Sequence, residues 1–87
     1  MKHVIANWKM YVAGDQGIAI AQQVAEACSA SPAPEVVLCP PYVYLDEVQN
    51  VIADTCVSLG AQDVSHEESG AHTGEVSAKM LLDAGCT

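Results

Sequence analysis

Glu35-Val36-Val37-Leu38-Cys39 is the stretch that most narrows the folds open to this chain. After its first residue it is continuously apolar, and Pro40-Pro41 stops it abruptly. A strand with one wet face alternates apolar and polar side chains. An unbroken run suits a parallel strand covered on both faces. Parallel neighbours need long crossovers, usually helices, and helical patterns stand on both sides of this run.

Before it, His3 to Asn7 reads as a short strand, and Tyr11 to Gly14 as a loop. Asp15 is placed to cap a helix whose apolar positions Ile18, Ala21, Ala25 and Cys28 recur about every 3.6 residues. Gln22, Gln23 and Glu26 take the other side, and the small residues and prolines from Ser29 to Pro34 end the helix. After the Pro-Pro stop, Leu45, Val48 and Ile52 form the buried stripe of a second helix, with Asp46, Glu47, Gln49 and Asn50 in water. Thr55 to Gln62 supplies a third strand, apolar in Val57 and Leu59 and polar at its far end. A loop rich in Ser, Glu and Gly runs from Asp63 to Glu75. Ser77 then fits the N-cap of a third helix, with Met80, Leu81 and Ala84 facing inward and Gly85 at its stop.

Strand and helix alternate three times, and no Asn-Gly or Asp-Gly pair flanked by alternating apolar residues signals a hairpin. The fold class is therefore α/β, with three parallel βα units joined by right-handed crossovers. Three such strands leave two raw edges and one uncovered face, so the sheet is expected to be unfinished.

A chain of 87 residues makes one small domain. Its net charge is −8, with only Lys2, Lys9 and Lys79 against eleven carboxylates. Nucleic acid and anionic membranes both demand clustered Lys and Arg, so neither is expected as a partner. No signal peptide and no apolar stretch of membrane-spanning length is present, which reads as soluble and cytoplasmic. Cys28, Cys39, Cys56 and Cys86 form no Cys-x-x-Cys pair and read as buried, reduced cysteines, with Cys28 and Cys56 as small apolar fillers. His3, His66 and His72 show no zinc-type spacing, so no metal is expected.

An acidic chain that held an anion would need one local cation, and Asn7-Trp8-Lys9-Met10 offers it. The segment lies at the C-terminal end of the first strand, the end at which ligands sit in open α/β sheets. On an extended backbone Asn7 and Lys9, two apart, point to one face while Trp8 points into packing. The pair is a candidate for holding a small anion.

Ile5-Ala6-Asn7-Trp8-Lys9-Met10, Cys39-Pro40-Pro41, Gly60-Ala61-Gln62 and Gly70-Ala71-His72-Thr73-Gly74-Glu75-Val76-Ser77 occur in an order and at a spacing that resemble triosephosphate isomerase. The likeness spans nearly the whole chain. That family gives the eight-stranded (β/α)8 TIM barrel its name, at a typical size of about 250 residues. The resemblance implies that residues 1–87 are an incomplete N-terminal portion of one TIM-barrel domain, its first three βα units.

It also implies an activity: interconversion of dihydroxyacetone phosphate and glyceraldehyde 3-phosphate through an enediolate, without cofactor, in glycolysis and gluconeogenesis. Lys9 matches the family's catalytic, substrate-binding lysine, which balances the substrate's negative charge. Asn7 matches the residue that hydrogen-bonds the substrate. This family is itself the standard example of a glutamate base working with a neutral histidine electrophile. Both lie in later units, so the 87 residues alone are expected to be inactive. Thr73, Gly74 and Glu75 match a loop that reaches across a subunit interface, where the threonine supports the partner's Asn and Lys and Glu75 fixes the loop by accepting hydrogen bonds. The expected partners are a small phosphorylated triose and either a second copy, through a dimer formed by loop 63–75, or the rest of the barrel.

No histidine replaces the missing electrophile. His3 opens the first strand at the wrong end for a ligand, His66 reads as exposed, and His72 stands where the family often carries an aromatic ring. Tyr11 replaces an asparagine common in relatives and leaves Lys9 in place. Asp63, Glu67 and Glu68 lack the ligand alternation of a calcium loop and read as a solvated face. The competing reading is a truncated, self-associating βα module with no catalysis of its own.

Overall fold

The computed structural model describes residues 3–12, 14–30 and 35–87. Strands β1 (His3–Asn7), β2 (Glu35–Cys39) and β3 (Val57–Leu59) alternate with helices α1 (Gly14–Ser29), α2 (Leu45–Ile52) and α3 (Ala78–Asp83). One 3-10 turn, Tyr42–Tyr44, leads from the Pro-Pro stop into α2. The strands lie in the order β1-β2-β3, all parallel, with His3 beside Glu35 and Val36 beside Val57. These are the three parallel βα units expected from the alternation, and β2 has the bounds of its apolar run.

The core forms between one face of the sheet and the helices. Ala21, Ala25 and Cys28 of α1 meet Leu38 and Leu59 of the strands and Leu45, Val48 and Ile52 of α2. All three apolar positions of the α2 stripe are buried, as its spacing predicts. Gln49 departs from the expected wet side and is half-buried, its side-chain amide lying so close to Gly85 that a Cβ there would stand 2.7 Å from the amide carbon.

Helix α1 begins at Gly14, so Asp15 sits inside its first turn rather than capping it. A carboxylate there still complements the positive end of the helix dipole. Ile18 is only half-buried, and the position facing the sheet one turn ahead of Ala21 is Gly17. Its Cβ would stand 3.0 Å from the Trp8 ring, so the indole occupies the space that a side chain would need. The proposed break from Ser29 to Pro34 falls partly outside the described residues, from 31 to 34.

Helix α3 follows its reading more closely. Ser77 caps it by accepting the Met80 N–H at 3.3 Å. Gly85, at φ +106, takes the left-handed position after the last turn, where Cys86 N–H reaches the Leu81 carbonyl and Gly85 N–H the Leu82 carbonyl. Leu81 is buried and Ala84 half-buried, but Met80 is exposed. The chain then returns to the sheet: Cys86 pairs in parallel with Leu59, and Thr87 N–H donates to the Leu59 carbonyl at 2.9 Å.

Two further expectations need correction. The third strand covers Val57–Leu59 rather than Thr55 to Gln62, since the Thr55 hydroxyl bonds the Ile52 carbonyl at the helix end and regular pairing with β2 runs only from Val57 to Leu59. Cys28 and Cys56 are joined as a disulfide, Cα to Cα 6.1 Å, and Cys56 is exposed rather than a filler. The end of α1 and the turn before β3 meet within ordinary disulfide reach, a proximity that spacing along the chain does not reveal. Cys39 and Cys86 are free and buried, as read.

Candidate functional site

The C-terminal ends of the three strands gather the polar groups. β1 stops at Asn7 because Trp8 turns its indole into the core, 8% exposed, and Lys9 leaves the extended region. Lys9 has φ +55, a left-handed conformation that a residue with a Cβ adopts at a cost of about 1–2 kcal/mol. The same-face argument for Asn7 and Lys9 therefore fails in its geometry. The two residues are brought together differently: Asn7 Oδ1 accepts the Lys9 backbone N–H at 2.8 Å. A short side chain bonding the backbone two residues on is how Asn closes a tight turn. Both side chains remain exposed at this end of the sheet.

The other side of the Lys9 peptide is also held. Gln62 Nε2 donates to the Lys9 carbonyl and to the Cys39 carbonyl, each at 2.9 Å. The Cys39 carbonyl in addition accepts the Trp8 N–H at 3.1 Å. One glutamine thus ties the turn after β1 to the end of β2. Its polarity at the far end of the third apolar run was visible in the sequence, but its partners were not.

Gly60 makes this convergence possible. A Cβ there would lie 2.8 Å from Cys39 Sγ and 2.9 Å from a Val37 methyl, so only glycine allows the chain this close to β2. Burial raises the Cys39 thiol above its ordinary value of 9.0. Cys86 is raised by burial and then by its neighbour Cys39. Both stay protonated at neutral pH and are poor nucleophiles.

Charge singles out Lys9. Lys79 is engaged by Asp83 at 3.2 Å one turn on, which leaves Lys9 the only lysine without a carboxylate partner among the described residues. His3 pairs with Glu35 at 3.2 Å at the opposite end of the strands, where it was expected. His66 is exposed and 3.1 Å from Glu67. The described residues contain no cluster of His, Cys, Asp or Glu placed to hold a metal ion. Among them no helix is long and apolar enough to cross a membrane.

Thr73, Gly74 and Glu75 lie on the long loop after β3. Its base is closed by the Ser65 N–H donating to the Val76 carbonyl at 2.8 Å, and every residue from His66 to Glu75 is exposed. Glu75 N–H donates to the His72 carbonyl at 3.1 Å around a turn in which Gly74 holds φ +85. That conformation favours glycine at the third position. The Glu75 carboxylate accepts no hydrogen bond among the described residues. The loop is anchored instead by the Tyr42 hydroxyl, which donates to the Asp63 carbonyl. No hydrogen bond joins residues 63–75 to Asn7 or Lys9 among the described residues, so the two sets stand apart within one chain.

Comparisons with known proteins place this arrangement. A family model described as triosephosphate isomerase matches residues 2–87. The triosephosphate isomerase of Rhodopirellula baltica is 48% identical over 83 residues, covering 95% of this chain and 33% of that protein. That of Dechloromonas aromatica is 45% identical over 85 residues, covering 98% and 34%. The crystal structure of triosephosphate isomerase from Bartonella henselae superposes with a TM-score of 0.84 at 26% identity, covering 97% of this chain and 33% of that one. The chain spans about a third of the length of the relatives it matches. Its three units match a third of a TIM barrel in fold, and its sequence matches one family throughout: the chain belongs to the triosephosphate isomerase family.

Proposed function

We propose that this chain contributes the first three units, residues 1–87, of a single TIM-barrel domain that interconverts dihydroxyacetone phosphate and glyceraldehyde 3-phosphate in the cytoplasm. The reaction passes through an enediolate, needs no cofactor, and serves glycolysis and gluconeogenesis. Lys9 is the cation that balances the charge of the phosphorylated substrate, and Asn7 hydrogen-bonds it. The observation that carries this reading is the left-handed Lys9, its N–H taken by Asn7 and its carbonyl by Gln62 at the ligand end of the strands. A preorganised cation stabilises developing charge without reorganising at the moment of reaction.

The glutamate base and histidine electrophile of the family match no residue here. Proton abstraction needs a base within hydrogen-bond reach of the substrate carbon, so the 87 residues alone do not turn over substrate. The test uses a full barrel in which this chain supplies the first three units and the Rhodopirellula relative the remainder. Lys9→Ala is expected to lower kcat by on the order of 10²–10³ with the fold intact. Near-normal turnover would refute the assignment.

Association is the second reading, and the open sheet favours it. Ile5 is 65% exposed on the face away from the helices, and β1 lies at a sheet edge. Apolar surface beside unpaired strand edges draws in other protein, either the remaining barrel or a second copy. Thr73, Gly74 and Glu75, exposed on their loop, supply a further contact with a partner subunit. Sedimentation of the purified chain at micromolar concentration should show self-association. A sharp 9.1 kDa monomer with cooperative unfolding would count against this second reading.

A further inference from the structure

We propose that Gln62 is the positioning residue for Lys9, holding its backbone in the one conformation that presents the cation; this rests on the reading of Lys9 given above. A glutamine amide carries two N–H donors. Here both go to backbone carbonyls, of Lys9 and Cys39, that stand where the chain leaves its regular strands. Asn7 fixes the N–H of Lys9 and Gln62 its carbonyl, so the unfavourable φ of +55 is held from both sides by side chains. Without Gln62 the Lys9 carbonyl loses its protein partner, and the residue is free to relax toward the right-handed or extended regions. That rotation re-aims the whole lysine side chain. Strand pairing does not depend on Gln62, because Gly60 N–H reaches the Leu38 carbonyl independently at 2.9 Å.

A double-mutant cycle in the same full barrel tests the idea. Gln62→Met keeps the length of the side chain and removes both donors. It is expected to lower kcat/KM on the order of tenfold when Lys9 is present and by less than about twofold in the Lys9→Ala background. Far-UV circular dichroism should be unchanged. Equal losses in both backgrounds, or no loss in either, would overturn the proposal.

Gln62→Glu provides a second readout. An ionised carboxylate has no proton to donate to the two carbonyls, whereas the protonated acid has one. The activity of this variant relative to the parent should therefore fall as pH rises through the titration of the new carboxyl. A ratio that does not change with pH would contradict the role. If neither variant folds, Gln62 is needed for folding rather than for aiming Lys9, and the proposal fails. Full activity in Lys9→Ala alone would instead remove the reading of Lys9, and the role of Gln62 with it.

Discussion

The two faces of the three-stranded sheet are built from alternate residues of the same strands and meet different fates. On the helix side, Val36, Leu38, Val57 and Leu59 pack with α1, α2 and α3, and Leu38 and Leu59 are each 1% exposed. On the other side, the register sets Ile5, Val37 and Ser58 in one row, with Ile5 largely in solvent and the other two half-buried. A βα unit therefore completes only its outer layer. Its inner layer needs side chains from other strands, and the difference is one of partners rather than of polarity.

The sharpest way to break this comparison is to truncate one residue on each face. Leu38→Ala removes a fully buried side chain and should cost about 4 kcal/mol in chemical denaturation at a fixed chain concentration. Ile5→Ala, on the open face, should change the same measurement by less than about 0.5 kcal/mol. Comparable losses would mean that the open face is already covered.

Reducing the Cys28–Cys56 bond comes next. It closes a loop of 28 residues on the helix side, and its loss should lower stability by about 3 kcal/mol through unfolded-state entropy. Denaturation with and without a thiol reductant measures this. An unchanged midpoint would show that the helix layer needs no staple.

Gly60→Ala probes where the faces differ least, beside Cys39 and Val37. The new methyl would sit under 3 Å from both and should cost about 1–2 kcal/mol by overpacking. A gain in stability instead would mean that β2 yields easily on its open side.

The smallest effect concerns pH. The thiols of Cys39 and Cys86 are raised above 9.0, first of all by burial, and the Tyr42 hydroxyl above 10.0 by burial and the carboxylates of Asp63 and Glu75. The folded chain then binds more protons than the unfolded one above these ordinary values. Stability should be flat with respect to these groups below pH 9 and fall as pH rises beyond it. Cys39→Ser with Cys86→Ser should flatten the first part of that decline.

Elements set by local patterns were legible in the sequence. The bounds of β2, the Leu45-Val48-Ile52 stripe, the Ser77 cap and the Gly85 stop all follow from residues close to one another in the chain. The failures at the site and in the helix layer come mainly from contact between residues distant in sequence, whereas the late start of β3 is local, set by the Thr55 bond to Ile52. Gly17 faces the sheet because Trp8 fills the space beside it, and no helical period predicts an indole. Lys9 departs from the extended backbone because Asn7 and Gln62 hold it, and Gln62 comes from the third unit. Cys56 meets Cys28 through the packing of α1 beside α2. At the site, Asn7 and Lys9 could be named from the sequence, whereas the glutamine that braces them could be named only as a polar strand end.

The return of the chain at Cys86 and Thr87 bears on how such a barrel grows during synthesis. Once α3 has closed at Gly85, the next two residues already lie beside Leu59 in parallel register. Once these residues have left the ribosome they can be held along the edge of β3 by the Leu59 pairing alone. In this unit the two residues after the helix set a parallel register on β3, and an edge paired as soon as it folds is less open to capture by a neighbour.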